Sequence, residues 1–140
     1  MIRKCLRVLL TLSLLVSSQV FAQTIIVHPE QDDTLLSRTS IRAMFAMRIP
    51  QWPDGSPVQV FVFEDNHPLH IQFSKSILGM FPYQLRRIWD RQVFSGTGIG
   101  PTIVASEQEM LSRVARTKGA IGYVEPGSIN DSVRPLGTAP

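Results

Sequence analysis

The stretch KGAIGYVEPGS, residues 118–128, closes one structural unit and opens another. Lys118 and Gly119 read as a helix stop, because glycine takes the left-handed backbone on which many helices end. Ala120 to Val124 carries no charge and reads as a short strand buried on both faces. Glu125-Pro126-Gly127 is a turn. A helix feeding a buried strand is half of an α/β unit, so the upstream chain decides whether the alternation is general.

It is. Ser106 and Glu109 are spaced as a capping box, with acids at the start of the next helix and Arg113, Arg116 and Lys118 at its end, as the helix dipole favours. Thr102 to Ala105 precedes it as a short strand, after a loop SGTGIGP at 95–101. Pro82 opens a helix with Leu85, Ile88, Trp89 and Val93 on one side and Arg86, Arg87, Asp90 and Arg91 largely on the other. Val58 to Phe63 is apolar on both faces, as an interior strand covered by helices should be. Asn66 or His67 then starts a helix with Pro68 in its first turn, Leu69, Phe73 and Ile77 along one stripe, and Gly79 closing it. Further upstream, Thr24 to His28 reads as a buried strand, and Thr39 or Ser40 caps a helix bearing Ile41, Met44 and Phe45. Pro50 and the turn WPDGSP, 52–57, end that helix unit. Pro135 confines a last segment, Ser132 to Leu136, to a sheet edge. The predicted fold is a single three-layer α/β sandwich with a mixed or parallel sheet between helices.

Residues 1–22 do not belong to that fold. Arg3, Lys4 and Arg7 precede an apolar stretch, Val8 to Val16, and Val20-Phe21-Ala22 supplies a small-residue exit. This is the layout of a cleavable secretory signal, too short in its apolar part to span a bilayer. The domain is then 23–140, with a periplasmic destination and no membrane span after cleavage. The 14 Lys and Arg exceed the 11 acids only through the three basic residues of the leader, so the mature chain is near neutral and a nucleic-acid partner is disfavoured. The one cysteine, Cys5, lies in the leader, which excludes disulfides and thiolate metal sites from the domain.

Catalytic vocabulary is thin. The glycines of 95–101 follow a helix and lack the GxGxxG spacing, so they read as an ordinary loop with no dinucleotide cofactor. No GxSxG occurs, and Glu107 and Glu109 are explained by helix capping. His67 and His70, three apart with Glu64 and Asp65 upstream, are too few for a metal site and read as surface and cap histidines. A non-enzymatic protein is expected. One physical site survives: the strand 58–63 leads straight into a helix N-terminus at 66–69, where free N–H groups and the dipole favour an anion. An ordinary capped helix start is the competing reading of those residues.

The segments IRAMFAMRIPQWPDGSPVQVF, then Phe73 and Leu78-Gly79, then Trp89 with VFSGTGIGP, then GAIGYVE, together resemble the PstS-like phosphate-binding proteins of ABC transporters. They are most similar to short, exported, one-lobe relatives carrying a type 2 periplasmic-binding (PBP-like) domain, over about residues 24–137. The resemblance implies a non-enzymatic solute-binding lobe with a phosphate or other oxyanion ligand. In full-length relatives an Arg, and then a Ser-Gly-Thr run, hold the phosphate; here the Arg position falls on Phe63 and the run on His67, Pro68 and Leu69. Those changes remove a bidentate charge, an amide donor and a hydroxyl. What is left for weak oxyanion binding is Asn66, His67, Leu69 and His70. The alternative is an interaction module that has lost ligand binding and docks on an envelope protein or a second copy, with Phe63, Trp52 or Phe81 exposed as anchors.

Overall fold

The computed structural model describes residues 23–32, 35–96 and 98–139; residues 1–22, where a secretory signal is expected, lie outside them. In chain order the elements are β1 (Thr24–Val27), β2 (Leu36–Ser37), α1 (Arg38–Phe45), β3 (Gln59–Phe63), α2 (Pro68–Phe73), α3 (Pro82–Phe94), β4 (Thr102–Val104), α4 (Glu107–Arg116), β5 (Ala120–Val124), β6 (Arg134–Pro135) and β7 (Thr138–Ala139). Five strands form one sheet in the order β4-β3-β5-β1-β6. β3 runs parallel to β4 and β5, whereas β1 is antiparallel to β5 and β6. The sheet is therefore mixed, and β5, the strand of the GAIGYVE stretch, is its middle. β2 and β7 pair separately, in parallel.

Neighbouring residues of β5 face opposite layers, and their contacts define those layers. A Cβ on Gly122 would meet Met110 Sδ at 2.5 Å and Val114 at 3.3 Å, so α4 lies directly on that face and only glycine allows the approach. Tyr123, on the other face, stacks on Phe73 of α2 at 3.8 Å and meets Phe45 of α1 edge-on at 6.0 Å. α3 covers the same layer, its buried Trp89 donating Nε1–H to the Phe45 carbonyl at 2.7 Å. Tyr123, Phe45, Phe63, Phe73 and Trp89 are at most 1 % exposed, and burying each contributes about 1.5–3 kcal/mol.

Gly119 joins this core to the WPDGSP turn. Its carbonyl accepts from Trp52 Nε1–H and from the Gln59 amide, both at 2.9 Å. Its φ of +76° and a would-be Cβ only 2.1 Å from the Pro57 carbonyl oxygen exclude any side chain there. Trp52, 2 % exposed, is thus a core residue and not a docking anchor.

Several local expectations are revised. Ser37, not Thr39 or Ser40, caps α1, its Oγ accepting from the Ser40 amide at 3.1 Å. α2 continues as a π-helical turn, Ser74–Leu78, fastened by Ser74 Oγ donating to the Met80 carbonyl. The wide turn delays the apolar stripe by one residue, so Leu78 is fully buried and Ile77 only partly. Val93, expected on the packed side of α3, is 47 % exposed. At α4, Ser106 Oγ accepts from the Glu109 amide, but the Glu109 carboxylate reaches the Ala105 amide and not that of the cap. Arg134–Pro135 forms the expected edge strand.

Candidate functional site

The chain leaves β3 at Phe63 and turns through Glu64, Asp65 and Asn66 into α2. The β3–β5 ladder extends from Gln59↔Ala120 to Val60↔Ile121. At the strand end the Tyr123 hydroxyl satisfies β3 instead, accepting from the Phe63 amide at 3.2 Å. That hydroxyl also lies 2.6 Å from His70 Nδ1. The Tyr123 proton is assigned to His70 Nδ1, the arrangement that sets the imidazole Nε2–H on the side of Asp65, 4.0 Å away. Burial pushes the Tyr123 phenol well above its ordinary value, so it keeps its proton.

Each expected site residue now has a place. His67 is the N-cap of α2: its Nδ1 accepts from the Leu69 amide at 3.2 Å and its ring stacks on Phe63 at 4.3 Å. The His67 amide donates to the Glu64 carbonyl at 2.9 Å, and Pro68 has no amide hydrogen. Two donors expected to face an anion, the amides of His67 and Leu69, are therefore engaged within the turn. The Leu69 side chain is buried, while Asn66 is exposed. His70 is not a surface histidine; it is fully buried between Tyr123 and Trp89. Burial lowers its pKa below the ordinary imidazole value, with Asp65 opposing and Arg86 and His67 adding to the depression. Phe63, at the position the resemblance assigns to an Arg ligand, is fully buried and so is no docking anchor. Phe81 is 51 % exposed, stacked on Tyr83 at the start of α3.

A charged pair dominates the turn. Asp65 accepts a two-pronged grip from Arg86 of α3, Nε at 3.0 Å and Nη2 at 2.9 Å. The Arg86 guanidinium lies over the Trp89 ring at 5.1 Å, which fixes its approach. The hydrogen bonds to Asp65 raise its already high pKa. His70 Nε2, buried and without a hydrogen-bond partner, lies 4.0 Å from Asp65 Oδ1. A bidentate guanidinium is the usual means of holding carboxylate or phosphate, and here it holds the protein's own carboxylate. Beside the turn, Glu64, His67 and Glu109 line an open hollow of about 380 Å³. Two carboxylates on that rim repel an anion. Among the described residues no group of three or more His, Cys, Asp or Glu is placed to hold a metal ion.

The Asp65–Arg86 pair spans 21 residues, and the Tyr123–His70 contact spans 53. Neither is visible as a local motif.

No protein-family profile matches the chain, and no curated protein matches it in sequence. Solved structures do. An ABC-type phosphate transport receptor from Vibrio cholerae superposes with a TM-score of 0.64 at 18 % identity, over 81 % of this chain and 44 % of its own. A putative phosphate ABC transporter substrate-binding protein from Clostridium perfringens, with bound phosphate, gives 0.66 at 19 % identity, over 81 % and 43 %. PstS from Borrelia burgdorferi gives 0.64 at 17 % identity, over 85 % and 49 %. The chain spans less than half the length of each. In fold, it is similar to about one half of a PstS-type phosphate-binding protein.

Proposed function

We propose that this is an exported, non-enzymatic protein that keeps a solute-binding fold but works in the periplasm by contact, with another envelope protein or a second copy of itself. The observation that carries this reading is Asp65 on the Arg86 fork: an internal carboxylate occupies the turn at which an external oxyanion is expected. The engaged His67 and Leu69 amides and the acidic rim of Glu64 and Glu109 point the same way. The similar structures are named as receptors and substrate-binding proteins, which supports a binding role over an enzymatic one. The stacked, exposed Phe81 and Tyr83 supply the kind of aromatic surface that anchors contacts.

A second reading, weak binding of phosphate or another oxyanion by Asn66, His67, Leu69 and His70, is favoured by one feature. Because His67 Nδ1 accepts from Leu69, its Nε2–H is left as a donor beside the open hollow. The two readings separate in a melting titration of the purified protein with millimolar phosphate and sulfate, against chloride at matched ionic strength. Ligand at a hundred times its dissociation constant stabilises by about 2.7 kcal/mol. The contact reading predicts no oxyanion-specific shift, together with a crosslink to a second copy or an envelope protein from a photoreactive group placed at Phe81. A phosphate shift lost in His67→Ala establishes the second reading instead.

A further inference from the structure

At the other end of β3 from the Asp65 turn the chain encloses a hollow of about 590 Å³. Met44, Met47, Ile49, Val58 and Val60 supply apolar walls, with Gln59 and Thr102 among the few neutral polar groups. Small-molecule sites have this size and character, roughly 300–1,000 Å³ and mostly apolar with a few polar groups. Arg48 stands on its rim and also lines two adjoining hollows of about 190 and 270 Å³, to which α1 adds Arg42 and α3 adds Arg91. Among the described residues no Asp or Glu lines any of the three. Among the described residues, the guanidinium groups of Arg42, Arg48 and Arg91 have neither an ion pair nor a hydrogen bond, while Arg86, Arg113 and Lys118 each meet a carboxylate.

The backbone is bent to produce this arrangement. Met47 has a φ of +61°, a left-handed conformation that non-glycine residues avoid. The amides of Arg48 and Ile49 both donate to the Ala43 carbonyl, so the chain hooks out of α1 there and Met47, Arg48 and Ile49 all border the hollow. A methionine in a strained position where glycine would be easier points to a use for its side chain.

We propose that this hollow binds an anion with an apolar body. A carboxylate or phosphate head would pair with the Arg48 fork, in the field of Arg42 and Arg91, and the hydrocarbon part would lie against the adaptable methionines. The site is separate from the Asp65 turn and does not depend on the contact reading.

The test is calorimetric titration of the purified protein with decanoate, decan-1-ol, acetate and a lysophosphatidylglycerol, each below its micelle-forming concentration. Decanoate should bind with one-site stoichiometry, decanol at least about tenfold more weakly, and acetate not at all, since head and tail each contribute. Arg48→Gln should weaken decanoate about tenfold at an unchanged melting temperature, and Val58→Phe should block binding by filling the hollow. If Val58→Phe fails to fold, Arg48→Gln still decides. Saturable binding of the lysophospholipid as well identifies a phosphate-headed lipid source; binding of decanoate alone identifies a free carboxylate. The proposal is overturned if neither binds up to millimolar concentration, if decanol binds as well as decanoate, or if Arg48→Gln leaves the affinity unchanged.

Discussion

Replacing Tyr123 by Phe removes a single oxygen from the centre of the fold. The stacked contact with Phe73, at 3.8 Å and 6° between planes, survives in the variant. What disappears is the acceptor for the Phe63 amide and the donor to His70 Nδ1, both buried. An orphaned buried polar group costs about 1–3 kcal/mol. Some relief is available to the His70 ring, so the sum expected is about 2–4 kcal/mol, a large part of the roughly 5–15 kcal/mol that holds a domain of this size. Urea denaturation reads it as a lower midpoint at unchanged slope. In a His70→Leu background the same change leaves one orphan fewer, so its cost should fall by about 1 kcal/mol, the coupling between the two side chains. A Tyr123→Phe cost under about 0.5 kcal/mol, within the noise of ordinary surface changes, would refute the idea that this hydroxyl closes the end of β3.

Gly119→Ala should lose about 3–5 kcal/mol, because a Cβ 2.1 Å from the Pro57 carbonyl oxygen must break the Trp52 and Gln59 hydrogen bonds. Gly55→Ala, with a φ of +86° but nothing within 4 Å, should lose only the backbone part, about 1–2 kcal/mol, and equal losses would dismiss the steric account. Met47→Gly should raise the urea midpoint by the equivalent of about 1 kcal/mol if relief of the left-handed strain outweighs the lost side chain, and a lower midpoint would show the reverse. The folded pKa of His70 is depressed, chiefly by burial, so as the pH falls below about 6.5 the unfolded chain binds a proton that the folded chain refuses. Stability should be level just above that pH and fall on acidification by up to about 1.4 kcal/mol per pH unit from this group, and His70→Leu should remove that slope. An identical pH profile in the variant would contradict the assignment.

The parts of the fold that rest on uninterrupted apolar runs were readable from the residues alone. Ala120–Val124 and Gln59–Phe63 lie side by side at the centre of the sheet because both their faces are apolar. Pro135 placed the last segment of the large sheet at its edge because it has no amide to donate. The π-helical turn escaped notice because its cause, the hydroxyl of Ser74 on the Met80 carbonyl, leaves no periodic trace. His70 was misjudged because a histidine three residues after a capping histidine looks solvent-facing until Tyr123 arrives from a strand 53 residues away. The Asp65–Arg86 pair was hidden for the same reason: Asp65 belongs to a turn and Arg86 to the helix face that a linear reading assigns to solvent. Phe63 shows how ambiguous a strand end is, since the family resemblance sets it where an arginine ligand would stand and the fold buries it completely.

The central claim is that the turn after β3 carries its own anion. Phosphate-dependent melting of the wild-type protein and of Asp65→Ala, measured side by side at matched ionic strength, tests it most directly. Removing the carboxylate frees the Arg86 fork and takes a negative charge out of the turn. The account predicts no phosphate shift in the wild type and a clear stabilisation of Asp65→Ala by millimolar phosphate, lost again in Asp65→Ala/Arg86→Gln. A wild-type protein already stabilised by phosphate, or an Asp65→Ala variant as indifferent to it as the wild type, would contradict the account.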